Sequence, residues 1–270
     1  MSDKRPIGIF DSGFGGLTVA RAIMDLLPDE DIVYFGDTGR YPYGPRHLDE
    51  VRQFAHQITE SLVADHDVKT VVVACNTAAA AALGELESTT AVPVMGVIRP
   101  GAEAVVQVSE SGRVGVIGTV GTIASGAYQD AIDAITGGLG QLTCAACPGF
   151  VEFVERGEFA GDQVTVLAER LLAPVVDAKV DALLLGCTHY PYLARTIGKV
   201  MGDEVVLVSS ADETAFALSK SLESADLAHP TRSDQATHRF ISSGDVAWFA
   251  DLGQRLLGPE LAEAQPHEWK

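Results

Sequence analysis

Two short apolar segments each end in a cysteine followed by polar residues, and these two junctions limit the possible folds most strongly. Residues 71–74 precede Cys75, and residues 182–185 precede Cys187 with one glycine between. Apolar runs of this length are typical of buried strands. In open parallel sheets, ligands bind at the carboxyl ends of the strands. We therefore expect both cysteines at sheet edges where chemistry can take place.

Segments with strand character alternate along the chain with segments that have helical spacing of apolar residues, which predicts an α/β fold with parallel sheets. Residues 7–10 resemble residues 114–117, and their separation is nearly that of the two cysteines. This weak repeat predicts two similar Rossmann-like α/β domains with the active site in the cleft between them. We place the first domain at residues 1–98 plus 209–270 and the second at residues 99–208.

Two details complete the expected organisation. Pro100 and Gly101 are expected to interrupt the secondary structure at the seam between the domains. A single helix is expected from Thr119 to about Ile135, and the chain from Gly258 onwards is expected to be a surface tail.

The charge of the chain excludes some partners. Its 270 residues carry a formal net charge of −18. Such a chain is a poor candidate for non-specific binding to nucleic acid or to an anionic membrane surface. Neither a secretory signal nor an apolar run of roughly 18 to 20 residues is visible. We therefore expect a cytoplasmic protein with reduced cysteines.

In that compartment cysteines serve packing, metal binding or catalysis. Cys75 and Cys187 both stand just beyond a strand and before polar residues, which favours a functional role for the pair. A zinc site using Cys75, Cys187 and His189 is a weaker interpretation, because that spacing is not typical of structural zinc. Cys144 and Cys147 form a C-x-x-C motif without a second half, so we interpret them as packing or surface residues.

Other polar residues follow predicted strands. Asp11 and Ser12 could present a carboxylate and a hydroxyl to a substrate ammonium group or orient Cys75, although either could simply cap a helix. Thr119 and Thr122 could bind substrate oxygens at a helix N-terminus, or merely cap it. In the loop of residues 37–44, the backbone of Tyr43 and Gly44 could bind a carboxylate.

Two thiols that face each other across a cleft suit a two-base racemase. One thiolate removes the α-proton of an amino acid, and the opposite thiol returns a proton to the other face. The reaction is reversible, so the two groups exchange roles. Because that α-proton is very weakly acidic, the site must be dry, with donors arranged where charge develops.

The motifs of this chain resemble those of glutamate racemase. The segments that carry the resemblance are residues 9–19, 43–45, 74–77, 114–119, 147–155 and 185–191. The resemblance implies a cofactor-independent isomerase that interconverts L- and D-glutamate and supplies D-glutamate for peptidoglycan of the cell wall. It also implies a homodimer.

The resemblance further implies roles for individual residues. Cys75 and Cys187 would be the two acid/base groups, and Asp11 and His189 would assist the neighbouring thiols. The expected substrate-binding residues include the two threonines above. They are Asp11, Ser12, Tyr43, Gly44, Asn76, Thr77, Thr119, Thr122, Glu155, Thr188 and His189.

Several alternatives stay open from the residues alone. A related enzyme such as an aspartate racemase would use the same two thiols. A hydrolase or amidase would need only one cysteine nucleophile, and a binding protein would exchange no α-proton. A pyridoxal-phosphate racemase would need a Schiff-base lysine; Lys69, Lys179 and Lys199 do not stand beside these motifs.

Overall fold

The computed structural model describes residues 3–269, which form two parallel β-sheets surrounded by helices. Every pairing within the sheets is parallel. The strands are β1 (Ile7–Asp11), β2 (Ile32–Gly36), β3 (Thr70–Val73), β4 (Val94–Gly96), β5 (Arg113–Gly118), β6 (Gln141–Ala146), β7 (Ala182–Gly186), β8 (Val206–Ser209), β9 (His238–Ser242) and β10 (Gln265–Pro266).

Helices follow almost every strand. They are α1 (Leu17–Leu26), α2 (Leu48–His66), α3 (Asn76–Thr89), α4 (Ile98–Val108), α5 (Val120–Ala124), α6 (Ala127–Thr136), α7 (Phe150–Glu155), α8 (Asp162–Asp177), α9 (Ala194–Met201), α10 (Ser210–Ser224) and α11 (Val246–Leu257), with a 3-10 helix at Tyr190–Leu193. Among the described residues, each helix is too short or too polar to traverse a lipid bilayer.

The two sheets repeat one topology. The first sheet has the order β10-β9-β2-β1-β3-β4, and the second has the order β6-β5-β7-β8. If β1 is equated with β5, the first four strands of each sheet follow in the same spatial order. Thus β3 and β7 are equivalent strands. The predicted α/β fold with two similar parallel sheets is confirmed.

Burial explains why these segments form strands. All residues of β1, β2, β3 and β7 are buried. A parallel sheet covered by helices on both faces favours continuous apolar runs rather than alternation. Cys75 and Cys187 therefore each follow a buried central strand, β3 in the first sheet and β7 in the second.

Three local features differ from the expectations. Pro100 and Gly101 lie inside α4, because a proline in the first turn of a helix gives up no hydrogen bond. The helix expected from Thr119 is interrupted between α5 and α6 by Gly126, whose φ is +77°. The expected surface tail instead returns to the first sheet, where β10 pairs with β9.

Candidate active site

Cys75 and Cys187 lie at equivalent positions in the two sheets and line the same cavity. Cys75 follows β3, and Cys187 follows β7. Both are buried, and the cavity between them measures only about 20 Å³. It is lined by Ser12, Tyr41, Pro42, Tyr43, Gly44, Cys75, Asn76, Thr77, Thr119, Val151, Cys187, Thr188 and His189.

The surroundings of Cys75 favour a neutral thiol. Burial, reinforced by the negative charge of Asp11, raises the pKa of Cys75 to about 12. Hydrogen bonding by Ser12 and by the backbone N–H of Ala78 in the first turn of α3 opposes this shift only in part. At neutral pH the Cys75 sulfur therefore carries its proton.

His189 and Glu155 form a hydrogen-bonded pair beside Cys187. The Nδ1 atom of His189 lies 3.9 Å from Sγ of Cys187, and Nε2 lies 3.2 Å from Oε1 of Glu155. Burial alone would lower the pKa of His189, but hydrogen bonds to Cys187 and Glu155 outweigh it and raise that pKa to about 10. An imidazolium in this position stabilises negative charge on the Cys187 sulfur.

Asp11 lies behind the cavity at the end of β1. Its Oδ1 accepts a 3.0 Å hydrogen bond from the N–H of Gly16 and one of 3.5 Å from Oγ1 of Thr188. Burial raises the pKa of Asp11 even though His189 lies near enough to oppose the shift. Its Oδ2 is buried and has no hydrogen-bond partner among the described residues, so one acceptor of this carboxylate is left unsatisfied.

Polar side chains join the two sheets beside the cavity. Oγ1 of Thr77, in α3, lies 3.0 Å from Oγ1 of Thr119 and 3.1 Å from Oγ1 of Thr122. Nδ2 of Asn76 donates a 2.7 Å hydrogen bond to the hydroxyl of Tyr128, in α6. These contacts place several hydroxyl and amide groups at the helix N-termini, where they can bind carboxylate oxygens.

The loop between β2 and α2 covers the cavity. Tyr41, Pro42, Tyr43 and Gly44 all line it. The Tyr43 hydroxyl donates a short hydrogen bond to Oδ2 of the fully buried Asp37. The carbonyl of Gly44 accepts a 3.0 Å hydrogen bond from the N–H of Gly121, so the loop also contacts α5.

Most of the residues expected at the site lie around this one cavity. Asp11, Thr122 and Glu155 lie one layer behind it and contact Thr188, Thr77 and His189, which line it. Three further residues, Asp37, Tyr128 and Val151, lie at or beside the cavity and were not expected there from the sequence. A carboxylate directly after β2 was a possible signal for Asp37, whereas the helical spacing around Tyr128 indicates only a core position.

The other two cysteines lie apart from this arrangement. Cys144 is partly buried within β6, and Cys147 is buried after it, where the Tyr190 hydroxyl donates a 3.0 Å hydrogen bond to its carbonyl. Within residues 3–269, no group of three His, Cys, Asp or Glu side chains is placed to hold a metal ion.

Two repeated parallel sheets that each present a thiol to one cavity form the arrangement that a two-base isomerase needs to remove and replace a proton at the same carbon. The profile of the Asp/Glu/Hydantoin racemase family matches residues 17–217. The chain belongs to this family and is an isomerase.

Named relatives cover nearly the whole chain. Glutamate racemase of Mycobacterium ulcerans is 52% identical, over 98% of this chain and 97% of its own length. The crystal structure of a glutamate racemase from Bacillus anthracis matches with a TM-score of 0.90 and 40% identity, over 98% of this chain and 97% of that one.

A third relative was solved with a bound amino acid. Glutamate racemase of Francisella tularensis, in complex with D-glutamate, matches with a TM-score of 0.89 and 34% identity. The alignment covers 99% of this chain and 98% of that chain.

Proposed function

We propose that this chain interconverts L-glutamate and D-glutamate with Cys75 and Cys187 as the two acid/base groups. The observation that carries the proposal is that both thiols line one small cavity from equivalent strand ends. The name shared by relatives at 34% to 52% identity supports glutamate as the substrate.

In each direction one sulfur enters as thiolate and the other as thiol. The thiolate accepts the α-proton, and a carbanion stabilised by the adjacent carboxylate forms. The opposite thiol then donates its proton to the other face of the α-carbon. The enzyme ends with the two protonation states exchanged, and return of one proton through the site restores the starting state.

The surrounding residues divide the remaining tasks. His189, held by Glu155, stabilises negative charge on Cys187. Asp11 lies near Cys75 and keeps a free carboxylate oxygen that can bind the substrate ammonium group. We assign binding of the substrate carboxylates to Ser12, Asn76, Thr77, Thr119 and Thr188, and to the backbone of the loop at Tyr43 and Gly44, with Thr122 supporting them.

The enclosure of the cavity by the loop serves the difficult deprotonation. Buried donors act more strongly on developing charge in a dry site than in water. The Tyr41-to-Gly44 loop and both domains must therefore close around glutamate before the proton is transferred.

We further propose that this activity supplies D-glutamate for peptidoglycan, in the cytoplasm and as a homodimer. We keep residues 1–98 plus 209–270 and residues 99–208 as the proposed domains. Sedimentation equilibrium would test the assembly, and a single species at the 28.5 kDa mass of one chain would contradict the dimer.

The activity is tested by isotope exchange in D₂O. Fresh, reduced, metal-free protein without added cofactor should incorporate deuterium at the α-carbon of either glutamate enantiomer. Cys75→Ser and Cys187→Ser should each abolish racemisation. Absence of exchange in the unaltered protein would contradict the proposal, and so would full activity of one cysteine variant, which is the result expected of a single-cysteine hydrolase.

A further inference from the structure

The last residues of the described chain are fixed against the first sheet. Beyond β10, the N–H of His267 donates a 2.9 Å hydrogen bond to the carbonyl of Ser242, at the end of β9. The ring of Trp269 packs 5.5 Å from the ring of Phe35 in β2 and 4.5 Å from the His267 ring. The tail therefore packs against the first sheet in a defined position.

Trp269 also contacts the loop that covers the cavity. The guanidinium carbon of Arg40 lies 3.7 Å from the centre of the Trp269 ring and 4.1 Å from the centre of the Phe54 ring. Nη1 of Arg40 donates a 2.5 Å hydrogen bond to Oε1 of Gln57. Cation–π contacts at these distances are strong enough to hold a long side chain in one orientation.

From Arg40 the contacts continue to the cavity wall. Nε of Arg40 donates a 2.7 Å hydrogen bond to Oδ2 of Asp37, and the same oxygen accepts the hydrogen bond from Tyr43. Oδ1 of Asp37 accepts a 2.5 Å hydrogen bond from the hydroxyl of Ser243. Asp37 is fully buried, and Arg40 is the cation that balances its charge.

We propose that Trp269 is a positioning residue for substrate binding, acting through Arg40 and Asp37 on Tyr43. The Trp269 indole holds the Arg40 guanidinium in one orientation. The guanidinium in turn orients the Asp37 carboxylate. That carboxylate orients the Tyr43 side chain, which lines the cavity. This inference rests on the proposed function. It assigns to the C-terminal tail a part in glutamate binding rather than in proton transfer.

The test separates KM from kcat in both reaction directions. Trp269→Leu keeps an apolar contact with Phe35 but removes the ring over Arg40. It should raise KM about threefold to tenfold, the range that one cation–π contact supplies, and leave kcat within about twofold. Trp269→Phe keeps a ring and should restore most of the affinity. Glu268→Ala, next to it in the tail, is the matched control and should leave both constants unchanged.

A double variant tests the route through Arg40. Once Arg40→Gln has removed the cation, adding Trp269→Leu should raise KM no further. A further rise as large as in the unaltered background would overturn the proposal, as would an unchanged KM in folded Trp269→Leu. If Trp269→Leu does not fold, Arg40→Lys replaces it, since lysine keeps the charge but offers no planar group to the indole. An unchanged KM there overturns the proposal.

The two proposals fail differently. Loss of the proposed function appears as no exchange of glutamate in the unaltered protein, and this result removes both. Loss of the Trp269 inference appears as normal exchange in the unaltered protein with the same KM in the Trp269 variants.

Discussion

At the scale of single residues, the two thiols are unequal. Cys75 lies beside a carboxylate, whereas Cys187 lies beside His189, whose raised pKa keeps it positively charged at neutral pH. Negative charge is therefore disfavoured on the Cys75 sulfur in the free enzyme. We therefore expect the two directions of the reaction to depend differently on the residues beside each thiol.

Replacing His189 by alanine should slow one direction of the reaction more than the other. The imidazolium stabilises charge on Cys187 alone, so we expect a loss of roughly a hundredfold in the exchange that uses Cys187 as the base, and a smaller loss in the other. Exchange rates from pure L- and pure D-glutamate measure this. The control is His56→Ala, a partly exposed histidine paired with Glu85. Equal losses from both enantiomers would contradict the assignment.

The raised pKa of His189 also predicts how the stability of the folded protein depends on pH. Its pKa rises from 6.5 to about 10 on folding. A base whose pKa is raised in the folded state contributes stability that is complete below pH 6.5 and is lost as the pH rises through about 10. The melting temperature should therefore fall between about pH 7 and pH 9, and fall less in His189→Asn. Parallel curves for the two proteins would contradict the raised pKa.

At the scale of elements, the turn between β1 and α1 packs against the residues that follow Cys187. A Cβ atom placed on Gly15 would lie 2.3 Å from Oγ1 of Thr188 and 2.4 Å from Nδ1 of His189. Thr18 in α1 adds a 3.2 Å hydrogen bond to the carbonyl of Thr188. The glycine-rich turn of the first sheet thus contacts the residues that follow Cys187 in the second half of the molecule.

Gly15→Ala should therefore reduce activity strongly. Because the added methyl group would displace Thr188 or His189, we expect exchange to fall at least about tenfold, from a displacement of roughly 1 Å. Gly84→Ala is the matched control. Gly84 lies within α3 with no atom within 4 Å of the added methyl, and alanine there should stabilise the helix by about 0.5–1 kcal/mol. Normal exchange by Gly15→Ala would contradict this contact.

A structural feature could be predicted from the sequence where residues adjacent in the chain determine it. The strand ends at Cys75 and Cys187 were predictable because four consecutive apolar residues and a following polar run specify a buried parallel strand. The partners of Asn76 and Arg40 were not, because Tyr128 and Trp269 reach them only through tertiary packing. The prediction of a surface tail was wrong for the same reason, because the tail's apolar contacts with Phe35 leave no periodic pattern in the sequence.

At the scale of the whole molecule, the cavity is too small for the substrate. A volume of about 20 Å³ holds about one water molecule, so glutamate can enter only after the two sheets and the loop separate. The hydrogen bonds between Asn76 and Tyr128, and between Gly44 and Gly121, bridge parts that must move apart. We therefore expect the cavity to open and close in each catalytic cycle.

Amide hydrogen exchange should detect this motion. The N–H of Gly121, donated to Gly44 across the opening, should exchange faster in the free protein than with glutamate bound, since the substrate favours the closed form. Mass spectrometry of peptides that cover residues 119–126 measures the difference, and peptides from α11 provide the reference. Identical rates at Gly121 with and without saturating glutamate would contradict the closing movement.

The order of strands in the first sheet has a consequence for synthesis on the ribosome. Strands β1 to β4 emerge first, but β2 pairs on its outer side with β9, which is translated long afterwards. The second sheet, from β5 to β8, is complete before β9 exists. The growing chain therefore carries an open β2 edge until β9 has been made, and such an edge can pair with other chains. Strand β9 thus closes the edge of a sheet whose other central strands precede the whole second sheet in the chain.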